Sequence, residues 1–109
     1  MRWGVFMDVS TAIKERRSVR RFKTDPVPKN VLEEIMDLAI WAPSAMNGQN
    51  WYFLVVQDPK KEELLKISAG VFDYLRPTLE KNFKDKPKVI AGMKSFFETY
   101  GGAPVIILA

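Results

Sequence analysis

From Lys29 onward the apolar residues Val31, Ile35, Leu38, Ala39 and Ala42 recur at helical spacing, and Leu32 widens the stripe. Glu33, Glu34 and Asp37 lie opposite, early enough to favour the helix dipole. The pattern predicts a helix from Lys29 that Pro43 ends. Before it, Asp8 is placed to cap a short helix that carries Val9, Ala12 and Ile13 inward and ends near Arg17. Ser18 to Phe22 then reads as extended chain, and Asp25-Pro26-Val27-Pro28 as a turn. Trp51 to Gln57 is aromatic and β-branched throughout, which predicts a strand buried on both faces. Asp58-Pro59 should open a third helix, with Asp58 as cap, Leu64, Leu65 and Ile67 inward and a stop at Gly70.

Residues 71 to 86 are ambiguous: Pro77 and the run Lys81 to Lys88 read as a mobile surface connection. Val89, Ile90, Met93, Phe96, Phe97 and Tyr100 mark an amphipathic helix stopped by Gly101-Gly102. Ala103 to Ala109 reads as a second buried strand. Trp3, Phe6, Phe72, Tyr74, Phe96, Phe97 and Tyr100 are expected in a core or an interface rather than stacked on a ligand. With no repeat or linker, the chain reads as a single domain over residues 1–109, with helices over a central sheet. The sequence stops inside an apolar run, where a terminal carboxylate is costly, and two strands make a poor sheet. A first part of a longer domain is therefore expected.

Composition narrows the chemistry. The 109 residues are 47% hydrophobic and 28% charged, a globular balance for which burial of about two-thirds of the unfolded surface is expected. No apolar run approaches the roughly twenty residues of a membrane span. The N-terminus places Asp8 where a secretory signal would continue its apolar stretch, so export is not expected. Cysteine and histidine are both absent, which excludes thiolate nucleophiles, cysteine-held clusters, the usual zinc sites and a Ser-His-Asp triad. Lack of cysteine fits a cytoplasmic protein in a reducing compartment. Demanding chemistry would fall to a cofactor.

The net charge of +4 is local: Lys14 to Lys23 hold six bases and one acid, and the remaining chain is slightly acidic. A nucleic-acid surface usually spreads its bases along a stripe, whereas one short cluster suits a compact anion such as a phosphate. Within it, Arg16, Ser18 and Arg20 share a face in extended chain, while Arg16 and Arg20 share one in a helix. Guanidinium forks match phosphate oxygens bidentately. The pattern alone also describes, and more commonly, a solvated basic surface.

A second stretch, Ala42-Pro43-Ser44-Ala45-Met46-Asn47-Gly48-Gln49-Asn50-Trp51, puts neutral hydrogen-bonding side chains between a helix stop and a strand. Amides donate and accept at once, which suits a heterocycle edge; an ordinary polar turn has the same composition. Neither Gly-x-Gly-x-x-Gly nor a Walker loop occurs, and Gly101-Gly102 precedes a strand, the wrong order for either.

Together, in this order, Ala12 to Phe22 and Leu38 to Trp51 resemble the N-terminal half of the nitroreductase family of flavin enzymes. Tyr52 to Val56 and Ala103 to Ile107 are similar to that family's core strands, whereas residues 60 to 100 are not diagnostic. The resemblance implies an α+β, three-layer α-β-α fold with a central mixed sheet, in a homodimer with FMN at the subunit interface. It implies hydride transfer from NADH or NADPH, via flavin, to nitroaromatics, quinones or related small-molecule acceptors. By that similarity Arg16, Arg17, Ser18 and Arg20 would bind FMN in one subunit. Pro43, Ser44, Ala45, Asn47 and Gln49 would approach the ring from the partner. No side chain is assigned as acid, base or nucleophile. The family motif commonly has proline where this chain has Asn50, and the family's C-terminal half has no counterpart here. The alternatives are a non-catalytic module that binds nucleic acid or another anion through Lys14–Lys23, and a flavin-family relative such as a dehalogenase.

Overall fold

The computed structural model describes residues 6–109. Among them run helices α1 (Val9–Glu15), α2 (Lys29–Ala39), α3 (Lys60–Asn82) and α4 (Pro87–Thr99), with strands β1 (Leu54–Val56) and β2 (Ile106–Leu108). Short 3-10 turns occupy Ala45–Asn47 and Tyr100–Gly102. The strands pair antiparallel, with Leu54 opposite Leu108 and Val56 opposite Ile106. The architecture is α+β, helices with a small two-stranded sheet. Trp3 and the N-terminal residues before Phe6 lie outside the described residues.

The best-buried contact is between α3 and α4. Phe72 is 2% exposed, and its ring lies 5.9 Å from that of Phe97. Ser68, 5% exposed, donates its hydroxyl to Tyr100 at 3.0 Å. Helix α3 thus continues through Gly70 and Pro77 to Asn82, correcting the expected stop at 70 and most of the connection over 71–86, of which only residues 83–86 lie between helices. Those two residues disfavour a helix by about 1 and 3 kcal/mol, so it is packing on α4 that carries α3 through them.

Three other expectations change. Asp58 does not cap α3: Pro59 is the first flanking residue, and Asp58 instead pairs with Lys61 at 3.5 Å. The strands are three residues each, not seven, because each has one hydrogen-bonded neighbour and its flanks have none to pair with. Helix α2 stops at Ala39, short of Pro43. After the Ile40 amide bonds to Met36, the Trp41 and Ala42 amides reach only three residues back, tightening the chain ahead of the proline.

The apolar stripes of α1 and α2 are real but uncovered. Ile13 is 72% exposed and Leu38 74%, and neither helix contains a buried residue. Phe6 and Tyr74 are likewise exposed rather than in the core. The chain presents 9582 Å² of surface, against about 6,200 Å² for a compact monomer of this mass. Burial on folding is therefore about half of the unfolded surface, not two-thirds. The radius of gyration, 17.2 Å, likewise exceeds the roughly 13 Å of a compact domain this long. Periodicity names the face a helix must bury; it does not name what covers that face.

Candidate functional site

The basic segment leaves α1 at a well-made boundary. Asp8 caps the helix by accepting the Thr11 amide at 2.9 Å and the Thr11 hydroxyl at 2.7 Å. Those two donors, the amide foremost, hold the Asp8 carboxyl below its ordinary value. At the other end the Arg16 amide donates to Ala12 and the chain turns out of the helix. Arg17 folds back: its Nη1 donates to the Lys14 and Arg16 carbonyls, each at 3.0 Å. One of the four basic-segment residues expected at a ligand thus also closes the end of α1.

Residues 16–24 are non-helical, which leaves the extended reading of Arg16, Ser18 and Arg20 in place, and all three are exposed. Arg20 goes its own way: its guanidinium carbon lies 5.4 Å from the centre of the Phe96 ring on α4. Two residues on, the Phe22 amide donates to the Gly101 carbonyl at 2.9 Å. Among the described residues none of the six bases between Lys14 and Lys23 takes part in an ion pair. The charge is free for an external anion.

The second segment braces itself. Ser44 accepts the Gln49 amide on Oγ at 3.0 Å and the Asn47 amide on its carbonyl at 3.0 Å. Gln49 Nε2 donates to Asn47 Oδ1 at 2.9 Å. Within this wrap Met46, Asn47 and Gln49 have φ of 53°, 53° and 49°, while Gly48 has an ordinary negative φ. Asparagine tolerates the left-handed region; methionine and glutamine do so less readily. Backbone held in such conformations clusters at ligand clamps. Pro43 and Ala45 are exposed beside these groups, and the Met46 side chain is fully exposed at 102%.

The structure thus gathers Ser44, Asn47 and Gln49 into one loop, and among the described residues no hydrogen bond joins that loop to Arg16, Ser18 or Arg20. A groove of about 1120 Å³ runs behind the basic segment, lined by Arg20, Arg21 and Phe22 with Met93, Phe96 and Phe97. A smaller one, about 530 Å³, has Thr24, Asp58 and Lys61 in its wall. Lys61 there donates to the Ala103 carbonyl at 3.2 Å, tying the start of α3 to the approach to β2. Neither groove contains a residue of the 43–49 loop. Sequence reasoning missed Gly101 and Phe96 as shapers of the basic segment; the paired glycines mark the place, but only as a helix stop.

The chain is thus an α+β protein with a basic segment, unpaired among the described residues, leaving its first helix and a self-braced amide loop after its second. Residues 13–109 match the family model for the nitroreductase family, and the chain belongs to that family. Among similar proteins, the NADH dehydrogenase of Thermus thermophilus is 46% identical over 63 residues, 58% of this chain and 31% of the relative. A putative NADH dehydrogenase/NAD(P)H nitroreductase of Methanothermobacter thermautotrophicus is 43% identical over 61 residues, 56% of this chain and 31% of the relative. Iodotyrosine deiodinase 1 of Rattus norvegicus is 30% identical over 101 residues, 88% of this chain and 34% of the relative. The chain spans about a third of the length of the curated relatives it matches. No helix among the described residues is long and apolar enough to cross a membrane.

Proposed function

We propose that this chain is part of an FMN-dependent oxidoreductase that passes hydride from NADH or NADPH, via flavin, to nitroaromatic, quinone or related acceptors. The observation that carries this reading is that Arg16 and Arg20 are exposed and in no ion pair among the described residues, in a family member that also holds its amide loop in a strained wrap. The donor set fits the cofactor chemically. Arg16, Ser18 and Arg20 offer forks and a hydroxyl to a phosphate, and Arg17 stabilises the turn that presents them. Pro43 and Ala45 would give the ring a rigid apolar edge, and Ser44, Asn47 and Gln49 neutral hydrogen-bonding groups where charge develops on reduction. Flavin, when bound, supplies the hydride chemistry, which asks for neither the histidine nor the thiolate that this chain lacks.

The working unit in this reading is a homodimer in the cytoplasm, with FMN between subunits and residues 1–109 belonging to one domain. Two observations support the dimer: neither of the two grooves described holds both the basic segment and the amide loop, and α1 and α2 leave apolar faces uncovered. Visible absorption of the purified protein tests it. A bound-flavin band that strengthens with added FMN and bleaches anaerobically with NADPH is the expected result. A protein that neither retains nor binds FMN overturns it.

A second reading has its own support, because the rat iodotyrosine deiodinase matches 88% of this chain, more than the reductase relatives do. In it the same flavin site reduces a halogenated aromatic. Halide release from an iodinated phenol under NADPH or dithionite, compared with nitroarene reduction, separates the two.

A further inference from the structure

Gly101 and Gly102 both adopt left-handed backbone, with φ of 67° and 78°, yet their surroundings differ. A Cβ on Gly101 would fall 2.8 Å from the Arg20 carbonyl carbon, closer still to its oxygen, and 3.2 Å from the Phe22 ring. A Cβ on Gly102 would meet nothing nearer than the Phe22 carbonyl at 3.7 Å, an ordinary contact. Gly101 also accepts the Phe22 amide at 2.9 Å. The turn carrying both glycines is itself fixed, since Tyr100 receives the Ser68 hydroxyl and stands edge-on to Phe96 with ring centres 5.4 Å apart. Phe96 in turn lies under the Arg20 guanidinium.

We infer that Gly101 is a positioning residue for Arg20: it lets the end of α4 close directly onto the Arg20–Phe22 backbone and so fixes where that guanidinium points. The inference rests on the reading of the basic segment as a phosphate site. Any side chain at 101 must push the Arg20 carbonyl away, because the obstacle is backbone and cannot rotate aside. Bidentate contact with a phosphate is directional, and a misplacement of about 1 Å is enough to lose much of it.

The two glycines supply their own control, since Gly101→Ala and Gly102→Ala share the backbone penalty and only the first meets Arg20. Dissociation constants for FMN and for riboflavin, which lacks the phosphate, are measured in both variants, in Arg20→Ala and in Gly101→Ala/Arg20→Ala. The expected result is that Gly101→Ala weakens FMN about tenfold, the loss of one charged hydrogen bond, and leaves riboflavin unchanged. It should add little to Arg20→Ala, and Gly102→Ala should keep the wild-type ratio of the two affinities. Equal effects of the two glycine variants, equal loss of both flavins, or full additivity with Arg20→Ala would overturn the inference. If the wild-type protein binds neither flavin, the phosphate reading fails by itself. Hydrogen exchange at the Phe22 amide then decides: faster exchange in Gly101→Ala than in Gly102→Ala supports the contact, and equal exchange removes it. Should Gly101→Ala not fold, Phe22→Pro deletes the donor to Gly101, and an unchanged FMN-to-riboflavin ratio there overturns the inference.

Discussion

Ser68 and Tyr100 are 32 residues apart in sequence, yet the Ser68 hydroxyl donates to the Tyr100 phenol at 3.0 Å and locks the middle of α3 to the end of α4. Tyr100 needs that lock. Its φ of 45° is a left-handed conformation that costs a residue with a Cβ about 1–2 kcal/mol. The bond to Ser68 and the edge-on packing with Phe96 hold it there. From this point the chain turns through two glycines, takes the Phe22 amide and enters β2, so the turn that this part-buried hydrogen bond holds is also the one that binds the basic segment.

Tyr100→Phe should therefore cost more than the loss of an exposed hydroxyl. It leaves the Ser68 oxygen, in a residue 5% exposed, without its partner, a penalty of about 1–3 kcal/mol. Ser68→Ala added to Tyr100→Phe should recover part of that loss, because no orphaned group remains. Urea unfolding of the four proteins gives the coupling energy directly. A coupling of zero would mean that the pair holds nothing together.

Phe72→Ala should be among the most damaging single changes to stability. Its ring is 2% exposed, packed at a tilt against Phe97 and roofed by the Arg76 guanidinium at 5.6 Å. Truncation of a buried phenylalanine costs about 3–5 kcal/mol, comparable with the whole stability of a marginal domain. Far-UV circular dichroism should show early loss of helix on heating. Tyr74→Ala, two residues away on the exposed face of α3, should unfold near the wild-type temperature.

These contacts mark how far the sequence could be read. Asp8 as a cap, α4 and its glycine stop were legible because each depends on neighbours within a few residues. Helix α3 was not, since Gly70 and Pro77 read locally as breaks and the force that overrides them comes from Phe97 and Tyr100 on another helix. At the site, the types of residue were legible and their arrangement was not. Nothing in Arg17 distinguishes it from Arg16, yet its guanidinium folds back onto the Lys14 and Arg16 carbonyls at the end of α1. The Asn47-Gly48 pair announces a turn, but the positive φ angles fall on Met46, Asn47 and Gln49 instead.

The cap of α1 should respond to acid. Its Thr11 donors favour the ionised Asp8 carboxyl, so the folded protein releases that proton at a pH below the ordinary value of 3.8. Between the two values the unfolded chain binds the extra proton. The cap's contribution is thus complete above about pH 3.8 and is lost as pH falls through the folded value. Titration of the Asp8 carboxyl carbon by NMR should give the lowered midpoint. Thr11→Val should keep most of the depression, because the backbone amide is the larger cause. A midpoint at or above 3.8 in the wild type would contradict the cap.

Met46→Gly offers a test of strain in the amide loop. The methionine side chain is fully exposed, so its removal gives up no packing, while glycine relieves a φ of 53°. The variant should be more stable by about 1 kcal/mol, read as a higher urea midpoint. If the strained wrap also preorganises the loop for the flavin ring, the same change should weaken FMN as it stabilises the protein. A variant less stable than the wild type would show that the left-handed turn carries no strain.

The arginines of the first segment should separate by role. Arg16→Ala and Arg20→Ala each remove a guanidinium that no carboxylate among the described residues engages. Each should weaken FMN by about 1.5–3 kcal/mol, the worth of a charged hydrogen bond, with little change in riboflavin affinity. Arg17→Ala should do the reverse: its guanidinium is spent on the Lys14 and Arg16 carbonyls, so its loss frays α1 and moves FMN affinity less. Raising ionic strength should shrink the difference between wild type and the Arg16 and Arg20 variants, because the lost attraction is screened. Isothermal titration across salt, with both flavins, gives all of these numbers. If FMN affinity is the same in Arg16→Ala, Arg20→Ala and the wild type, the cluster grips no phosphate and the charge is surface only.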